Sequence, residues 1–343
     1  MLKPSIAAVA EFMSGHGTTL LLIGAIITGG IIGTVFPQAS AVAASQIDMT
    51  ILVLIGLLLF EIRFTKLLSS LQSPTVLVAA IVANFAIIPF LGYAVASFFL
   101  PDHPLLAVGL TIYFLAPCTD WFLGFTRLAK GNTALGAALI PINLVLQMLL
   151  FPAYLHIFGI TTQLDMNIDI AQTLIQWFVL PLAIITVLRF AAARLLRPTY
   201  ASHLEQAISI AIPVCLALLV WQICAANIAT LALHANNIPA ILMAIFVFFS
   251  LTFLMSEAIS KVLRLTYEDH VILTMTTSAR NAPLMLALTL AVLPDQPLIV
   301  AAIVLGMVVE LPHLIALKTL LLKRQASRTL PSKGTRLFSQ RSG

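Results

Sequence analysis

Residues 115–132 read LAPCTDWFLGFTRLAKGN. Pro117, Cys118 and Asp120 interrupt a segment that is otherwise apolar. Charged and helix-breaking residues are costly in hydrocarbon, and they are tolerated where they line a protein cavity or a pathway. The stretch therefore predicts a broken membrane helix beside a path for a solute.

The composition places the chain in the membrane-protein class. Of its 343 residues, 60% are hydrophobic and 9% are charged, whereas an ordinary soluble domain has about 25% charged residues. Ten apolar segments are long enough to cross about 30 Å of hydrocarbon. We place these spans near residues 18–36, 47–65, 74–100, 105–129, 133–158, 168–193, 204–232, 238–264, 269–293 and 297–322.

The distribution of basic residues supports this count. With a cytoplasmic N-terminus, every Lys and Arg except Arg280 falls in or beside a cytoplasmic segment, and the opposite loops carry aspartates. A different number of spans would scatter the basic residues over both membrane faces. We therefore predict a multi-pass protein of the plasma (inner) membrane with both termini in the cytoplasm.

The ten spans divide into two halves of five. Because five is an odd number, the second half is inverted in the membrane relative to the first, which indicates an inverted internal repeat. The fourth span of each half is interrupted, at Ala116–Asp120 and at Ser278–Pro283. Paired interruptions in inverted halves indicate a transport site between them. The predicted fold is an all-α polytopic membrane protein with ten transmembrane helices, arranged as two inverted five-helix repeats whose broken helices 4 and 9 cross near the midplane.

The predicted organisation has five parts. Residues 1–17 form a surface segment, and the first repeat covers 18–158. A linker at 159–167 leads to the second repeat at 168–322, and residues 323–343 form a basic, disordered cytoplasmic tail.

Cys118 is the only thiol in either interruption. A thiolate is a soft ligand, suited to soft metals and to trivalent arsenic or antimony. A buried cysteine also occurs as an inert, small apolar side chain. The residue type leaves both interpretations open.

Asp120 and Arg280 are the charges nearest the two interruptions. Each would cost roughly 2.5–3.5 kcal/mol if unpaired in the membrane. Crossing of the broken spans would allow them to neutralise each other. The pair is either a static element of the fold or a switch that exchanges its partner for a solute or a proton.

Further polar residues lie in the spans. Asn143 and Gln147 are four residues apart on one helix face, and with Thr119 and Asn281 they are candidates for the polar lining of a solute path. Glu310 lies deep in an apolar run, which makes it a candidate proton carrier. Outside the path, Glu257 is expected to pair with Lys261 at i+4.

The turn LAKGN at 128–132 resembles the turn after the broken fourth helix in the bile acid/sodium symporter superfamily. Within that superfamily the chain looks most like the arsenical-resistance branch, the arsenite efflux permeases. The positions that carry this resemblance are Cys118, Asn143 with Gln147, the run Tyr267–Asp269 and the run Val309–Pro312. The resemblance extends over roughly residues 18–322 and implies that Cys118 contacts the metalloid and that Glu310 is needed for transport.

The chain also departs from those relatives. It has Pro117 where the arsenite permeases typically have arginine. In the second interruption, where they typically have asparagines, it has Arg280 before Asn281. The sodium-binding positions of the sodium-coupled branch correspond here to Phe122, Leu123, Thr276 and Arg280. These residues predict that sodium is not the coupling ion and that the Arg280 guanidinium takes the place of its charge.

The resemblance implies a secondary active transporter that exports arsenite or antimonite by proton antiport and alternating access. One alternative is a carrier of bile-acid-like or carboxylate anions with Arg280 as the anion anchor, and another is a membrane receptor. We expect no enzymatic activity, no cofactor, no resident metal site and no nucleic-acid partner. The expected partners are the lipid bilayer, a small inorganic or organic solute, and the proton.

Overall fold

The computed structural model describes residues 18–61, 74–119, 121–160, 180–195, 198–293 and 296–329. All named elements in these ranges are helical. The first seven α-helices are α1 (Thr18–Val35), α2 (Pro37–Ser45), α3 (Ile47–Glu61), α4 (Pro74–Val82), α5 (Ile88–Phe99), α6 (Pro104–Leu115) and α7 (Trp121–Leu128). They are followed by α8 (Thr133–Ile157), α9 (Leu180–Leu195), α10 (Pro198–Leu233), α11 (Ile238–Val262), α12 (Tyr267–Ser278), α13 (Ala282–Val292) and α14 (Pro297–Thr329).

Five helical stretches in the described ranges are long and apolar enough to cross a membrane, and a bent pair in α2 and α3 would make a sixth. The five are Pro74–Phe99, Thr133–Ile157, Gln206–Leu233, Ala235–Val262 and Pro297–Ala326. The predicted spans at 47–65 and 168–193 lie partly outside the described residues. The predicted fourth and ninth spans are each divided into two short helices by their interruptions. An interrupted span therefore does not contain one helix of full crossing length.

Helices α1 and α10 pack at very short range because α1 presents glycine to α10. A Cβ atom on Gly29 would lie 2.6 Å from the carbonyl oxygen of Trp221, and one on Gly33 would lie 2.4 Å from that of Ala225. Small residues four positions apart permit such close approach between membrane helices. Helix α3 packs against α10 as well, and this group is built from α1, α3, α9 and α10.

A second group of helices surrounds the interruptions, and α6 packs against both α5 and α14 there. Helix α4 continues into α5 through a π-helical turn at Ala83–Ile87. Pro89 has no amide hydrogen to donate to the carbonyl of Phe85, four residues earlier. The Tyr154 hydroxyl donates to that carbonyl at 2.6 Å, so a side chain from α8 satisfies the acceptor that proline leaves.

The two predicted interruptions are confirmed, and they lie against each other. Helix α6 ends before Ala116 and helix α12 ends before Ala279, where the backbone becomes extended. Pro117 and Arg280 form an isolated antiparallel bridge. The amide of Cys118 donates to the carbonyl of Ala279 at 3.0 Å, and the amide of Asn281 donates to that of Ala116 at 2.9 Å. Two short extended segments thus replace helical hydrogen bonds with bonds to one another.

Helix α14 continues to Thr329, so it enters the segment after Lys323 for which the sequence predicts a disordered tail. Most of the predicted linker at 159–167 and the predicted surface segment at 1–17 lie outside the described residues.

Candidate functional site

Arg280 is completely buried at the point where the two interruptions meet. Its Nη1 donates to the carbonyl of Phe114 at 3.1 Å. Its Nη2 donates to the carbonyls of Thr276 and Thr277 at 3.1 and 2.6 Å, and to Oδ1 of Asn84 at 3.3 Å. The guanidinium group therefore binds three backbone carbonyls and one side-chain amide.

Each of these carbonyls has lost its helical amide donor because an interruption redirects that amide. In a continuous helix, a carbonyl accepts from the amide four residues later. The Cys118 amide, which would serve Phe114, donates to Ala279 instead. The Arg280 amide, which would serve Thr276, donates to a carboxylate on α14. Arg280 thus satisfies acceptors that would otherwise remain buried and unpaired, each at a cost of about 1–3 kcal/mol.

An aromatic pair lies beside the guanidinium group. The Cζ atom of Arg280 is 5.9 Å from the ring centroid of Phe248. Phe248 stacks on Phe114 with a centroid separation of 3.8 Å. A cation over an aromatic face is attracted by the ring quadrupole, so the charge is stabilised by these rings as well as by the carbonyls.

Glu310 of α14 contacts both interrupted spans. Its Oε1 accepts from the backbone amide of Arg280 at 3.0 Å. Its Oε2 lies 3.4 Å from the hydroxyl of Tyr113, which also donates to the carbonyl of Gly306 at 3.1 Å. The side chain is 3% exposed. The predicted proton-carrier residue is therefore at the crossing, within hydrogen-bonding distance of α6 and of the second interruption.

A polar network extends from the crossing through the Thr276 hydroxyl. Nδ2 of Asn84 donates to it at 3.2 Å and Nδ2 of Asn143 donates to it at 3.4 Å. Because Oδ1 of Asn84 binds Arg280, both ends of this amide are occupied. Asn143 is thereby connected to Arg280 through Thr276.

Beyond this network lie buried polar atoms that have no hydrogen-bond partner among the described residues. They are Oδ1 of Asn143, both amide atoms of Gln147 and Oγ of Ser278. Asn143 and Gln147 are 0% and 2% exposed. Buried polar groups in proteins are normally paired, and their lack of a protein partner makes these atoms candidates for contact with a solute.

Cys118 and its neighbours form the first side of the crossing. The Cys118 side chain is fully buried, and its backbone amide bonds to Ala279, the residue before Arg280. The side-chain Nδ2 of Asn281 donates to the Thr119 hydroxyl at 3.1 Å. Its Oδ1 accepts from the backbone amide of Leu284 and caps α13. Asp120 lies outside the described residues, and the predicted Asp120–Arg280 pair stays a prediction. Within the ranges the structure describes, no three His, Cys, Asp or Glu side chains form a group that could hold a metal ion.

Tyr113 is not among the site candidates drawn from the sequence pattern, Thr276 is named only as the counterpart of a sodium-binding position, and Asn84 is a weaker candidate. Tyr113 and Thr276 lie in apolar or hydroxyl-rich helices and carry no local signal. Asn84 had a weak signal, since it precedes Pro89 in a span by five residues. Only the packing of α5, α6 and α12 brings them to the crossing.

Away from the crossing, an ion cluster joins α11, α12 and α14. Glu257 lies 2.8 Å from Nη1 of Arg324 and 2.9 Å from Nε2 of His270. The predicted pairing of Glu257 with Lys261 is wrong, because α14 extends far enough for Arg324 to reach the carboxylate. The guanidinium also lies 5.1 Å from the ring centroid of Phe253.

The turn after α7 is attached to the start of α12. Nδ2 of Asn132 donates to Asp269 at 2.9 Å, and the Tyr267 hydroxyl donates to the carbonyl of Ala129 at 3.0 Å. Burial, together with the nearby Glu268 carboxylate, raises the pKa of the Tyr267 phenol. A phenol is protonated at neutral pH even without this shift, and the raised pKa extends its role as a donor to higher pH.

The apolar helices and the buried polar crossing define a multi-pass membrane protein. Residues 48–234 match the model of the Sodium Bile acid symporter family. The chain belongs to this family, which is a family of membrane transporters.

Two curated relatives carry a more particular name. The arsenical-resistance protein Acr3 of Alkaliphilus metalliredigens is 24% identical over 184 residues, which cover 48% of this chain and 51% of that protein. The arsenical-resistance protein Acr3 of Corynebacterium glutamicum is 32% identical over 95 residues, or 28% of this chain and 26% of that protein. The matched part of the chain thus spans about half the length of the first relative and about a quarter of the second.

Proposed function

We propose that this chain is a secondary active transporter that exports arsenite and antimonite by proton antiport. The observation that supports it most directly is the composition of the crossing. The buried thiol of Cys118 and the buried carboxylate of Glu310 belong to segments that bond to the second interruption, and Asn143 is connected to it through Thr276. The named relatives point in the same direction. Transport would proceed by alternating access between two inverted five-helix repeats.

The proposed topology has ten spans, with spans 4 and 9 crossing near the midplane and both termini in the cytoplasm of a plasma (inner) membrane protein. The antiparallel pairing of Pro117 with Arg280 supports the inverted relation of the two repeats. Reporter fusions at Asp102 and after Lys323 test the topology. An external signal at Asp102 and a cytoplasmic signal after Lys323 are expected, and the reverse result would contradict it.

The unpartnered atoms favour an uncharged, hydroxyl-bearing solute. Oδ1 of Asn143 and Oε1 of Gln147 are acceptors, and Nε2 of Gln147 is a donor. None of them carries a charge. Arsenite and antimonite exist near neutral pH as neutral trihydroxides, whose O–H groups can donate to such acceptors and accept from such donors.

Cys118 is the proposed ligand of the metalloid. Its thiolate is a soft donor, which matches trivalent arsenic and antimony. A single thiol permits release, whereas several thiols would retain the metalloid. Thr119 and Asn281 contribute polar lining on the same side of the crossing.

Glu310 is the proposed proton carrier. Asp120 is proposed to pair with Arg280, either as a static element of the fold or as a switch in which one of the two exchanges its partner for a solute or a proton. Sodium is not the proposed coupling ion, because the Arg280 guanidinium already occupies the carbonyl groups released by the interruptions. A second cation in the same place would be repelled.

Replacement of Cys118 tests the proposal. Cys118→Ser is expected to abolish arsenite and antimonite resistance in a sensitised host while the protein still reaches the membrane. Cys224→Ser is the matched control, because Cys224 is also buried but belongs to α10, which packs on α1. Resistance that is equal in the two variants would contradict a role of the Cys118 thiol.

Transport of an organic anion remains the second candidate. Among the described residues, Nε of Arg280 has no hydrogen-bond partner, and a guanidinium nitrogen can donate to a carboxylate. Uptake of labelled bile acids or short carboxylates by wild-type vesicles, lost in Arg280→Gln and retained in Cys118→Ser, would favour this function over metalloid export.

A further inference from the structure

Tyr113 occupies a position that links three parts of the site. It lies near the end of α6, just before the first interruption, and it is completely buried. Its hydroxyl lies 3.1 Å from the carbonyl oxygen of Gly306 and 3.4 Å from Oε2 of Glu310. A tyrosine hydroxyl has a single proton to donate, so these two acceptors compete for it.

Gly306 is the residue that admits the ring. A Cβ atom at this position would lie 2.6 Å from the Cδ1 and Cε1 atoms of Tyr113. Real Cβ atoms do not approach aromatic carbons so closely, and a larger residue would displace the ring. The hydroxyl therefore reaches Glu310 because α14 has glycine one turn before the carboxylate.

Glu310 is held from two sides. Oε1 accepts from the Arg280 amide in the second interruption, and Oε2 faces the Tyr113 hydroxyl of α6. Hydrogen bonds to an ionised acceptor are about twice as strong as neutral ones. The charge state of one carboxylate thus affects the attachment of α14 to both interrupted spans.

We infer that Tyr113 is a positioning residue for proton exchange at Glu310, an inference that rests on the proposed role of Glu310 as the proton carrier. With Glu310 ionised, the Tyr113 proton is directed to Oε2. When Glu310 binds a proton, its new O–H donates to the Tyr113 oxygen, and the Tyr113 proton turns to the Gly306 carbonyl. The hydroxyl thereby has a partner in both states, and the bonds to both interrupted spans weaken together.

Other titratable groups face the same place and are kept constant in the test. They are Arg280 of the second interruption, whose amide bonds to Glu310, and Cys118 of the first interruption, whose amide bonds to Ala279. His313 follows Glu310 by three residues on α14, and its ring stacks on Phe249 at a centroid distance of 4.0 Å. Asp120 lies outside the described residues.

The first experiment measures antimonite transport into everted membrane vesicles between about pH 5.5 and 8.5. Tyr113→Phe keeps the ring and removes the hydroxyl. Loss of the hydroxyl removes a hydrogen bond that favours the ionised carboxylate. The pH of half-maximal transport is therefore expected to move upward by about one to two pH units. Gly306→Ala is expected to shift the profile in the same direction by displacing the ring.

Tyr154→Phe is the matched control, because it removes another buried hydroxyl whose only described partner is the backbone carbonyl of Phe85. This variant is expected to lose stability but keep the wild-type pH profile. An unshifted profile in Tyr113→Phe would overturn the inference, as would equal shifts in the Tyr113→Phe and Tyr154→Phe variants.

The second experiment needs no substrate. Thermal unfolding of the purified protein is followed over the same pH range for wild type, Tyr113→Phe, Glu310→Gln and the double variant. Coupling between the two substitutions that grows as Glu310 ionises supports the inference, and additive effects at every pH overturn it. A wild-type protein that moves neither arsenite nor antimonite would refute the proposed function, while this cycle still decides the role of Tyr113.

Discussion

Pro117 and Arg280 face each other in an antiparallel bridge between two interrupted helices. The pairing redirects the backbone amides on both sides, and it leaves the last carbonyls of α6 and α12 without their helical donors. The Arg280 side chain returns to those carbonyls. Arg280 therefore takes part in the backbone pairing of the two interruptions, and its side chain donates hydrogen bonds to the carbonyls that this pairing leaves without donors.

Removal of the Arg280 side chain is expected to destabilise the protein strongly. Arg280→Ala leaves several buried acceptors unpaired, and at about 1–3 kcal/mol for each the loss should be about 3 kcal/mol or more. Arg280→Lys retains a charge but lacks the planar fork, so an intermediate loss is expected. The measurement is thermal unfolding in detergent, with Arg127→Ala as an exposed-charge control. Equal unfolding temperatures for Arg280→Ala and the control would contradict this account.

Transport is expected to be independent of sodium. The Arg280 guanidinium supplies a fixed positive charge among the released carbonyls, so no mobile cation is needed there. Arsenite transport in vesicles should be unchanged when choline replaces sodium and should cease when the proton gradient is collapsed. Strict dependence on sodium would show that the Arg280 guanidinium does not substitute for the charge of a sodium ion.

Close packing of α1 on α10 is expected to require Gly33. Gly33→Ala places a methyl group 2.4 Å from the Ala225 carbonyl oxygen, and overpacking of this kind typically costs about 1–3 kcal/mol. Gly24→Ala in the same helix meets no atom within 4 Å and should be neutral or slightly stabilising. Unfolding temperatures of the two variants provide the comparison. A Gly33→Ala variant as stable as Gly24→Ala would refute the close packing.

The ion cluster at Glu257 is expected to depend on Arg324 and not on Lys261. Because the Arg324 side chain is 44% exposed, its pairing should contribute less than about 1 kcal/mol. Arg324→Ala should lower the unfolding temperature slightly, and this effect should vanish in a Glu257→Gln background. Lys261→Ala should show no such coupling to Glu257. Coupling of equal size would contradict this prediction and would indicate that Glu257 pairs with Lys261 instead.

Much of the architecture could be predicted from local pattern. Pro117 lies in the first interruption, and Pro283 lies in the first turn of α13, where proline costs no helical hydrogen bond. The ion-pair partner of a long charged side chain does not follow from the local sequence pattern. Glu257 has a lysine at i+4, yet its carboxylate binds a more distant arginine because α14 passes close to α11.

The sequence by itself determined the class of protein, the positions of the two interruptions and the thiol at one of them. Hydrocarbon imposes these features locally, through span length, charge placement and proline. The tertiary structure decided the partners of Arg280 and Glu310. The antiparallel pairing of the interruptions releases carbonyls for the guanidinium group, and the packing of α14 on α6 brings Glu310 to the Arg280 amide and to Tyr113. These contacts join segments far apart in the chain, and only the packed helices fix their distances.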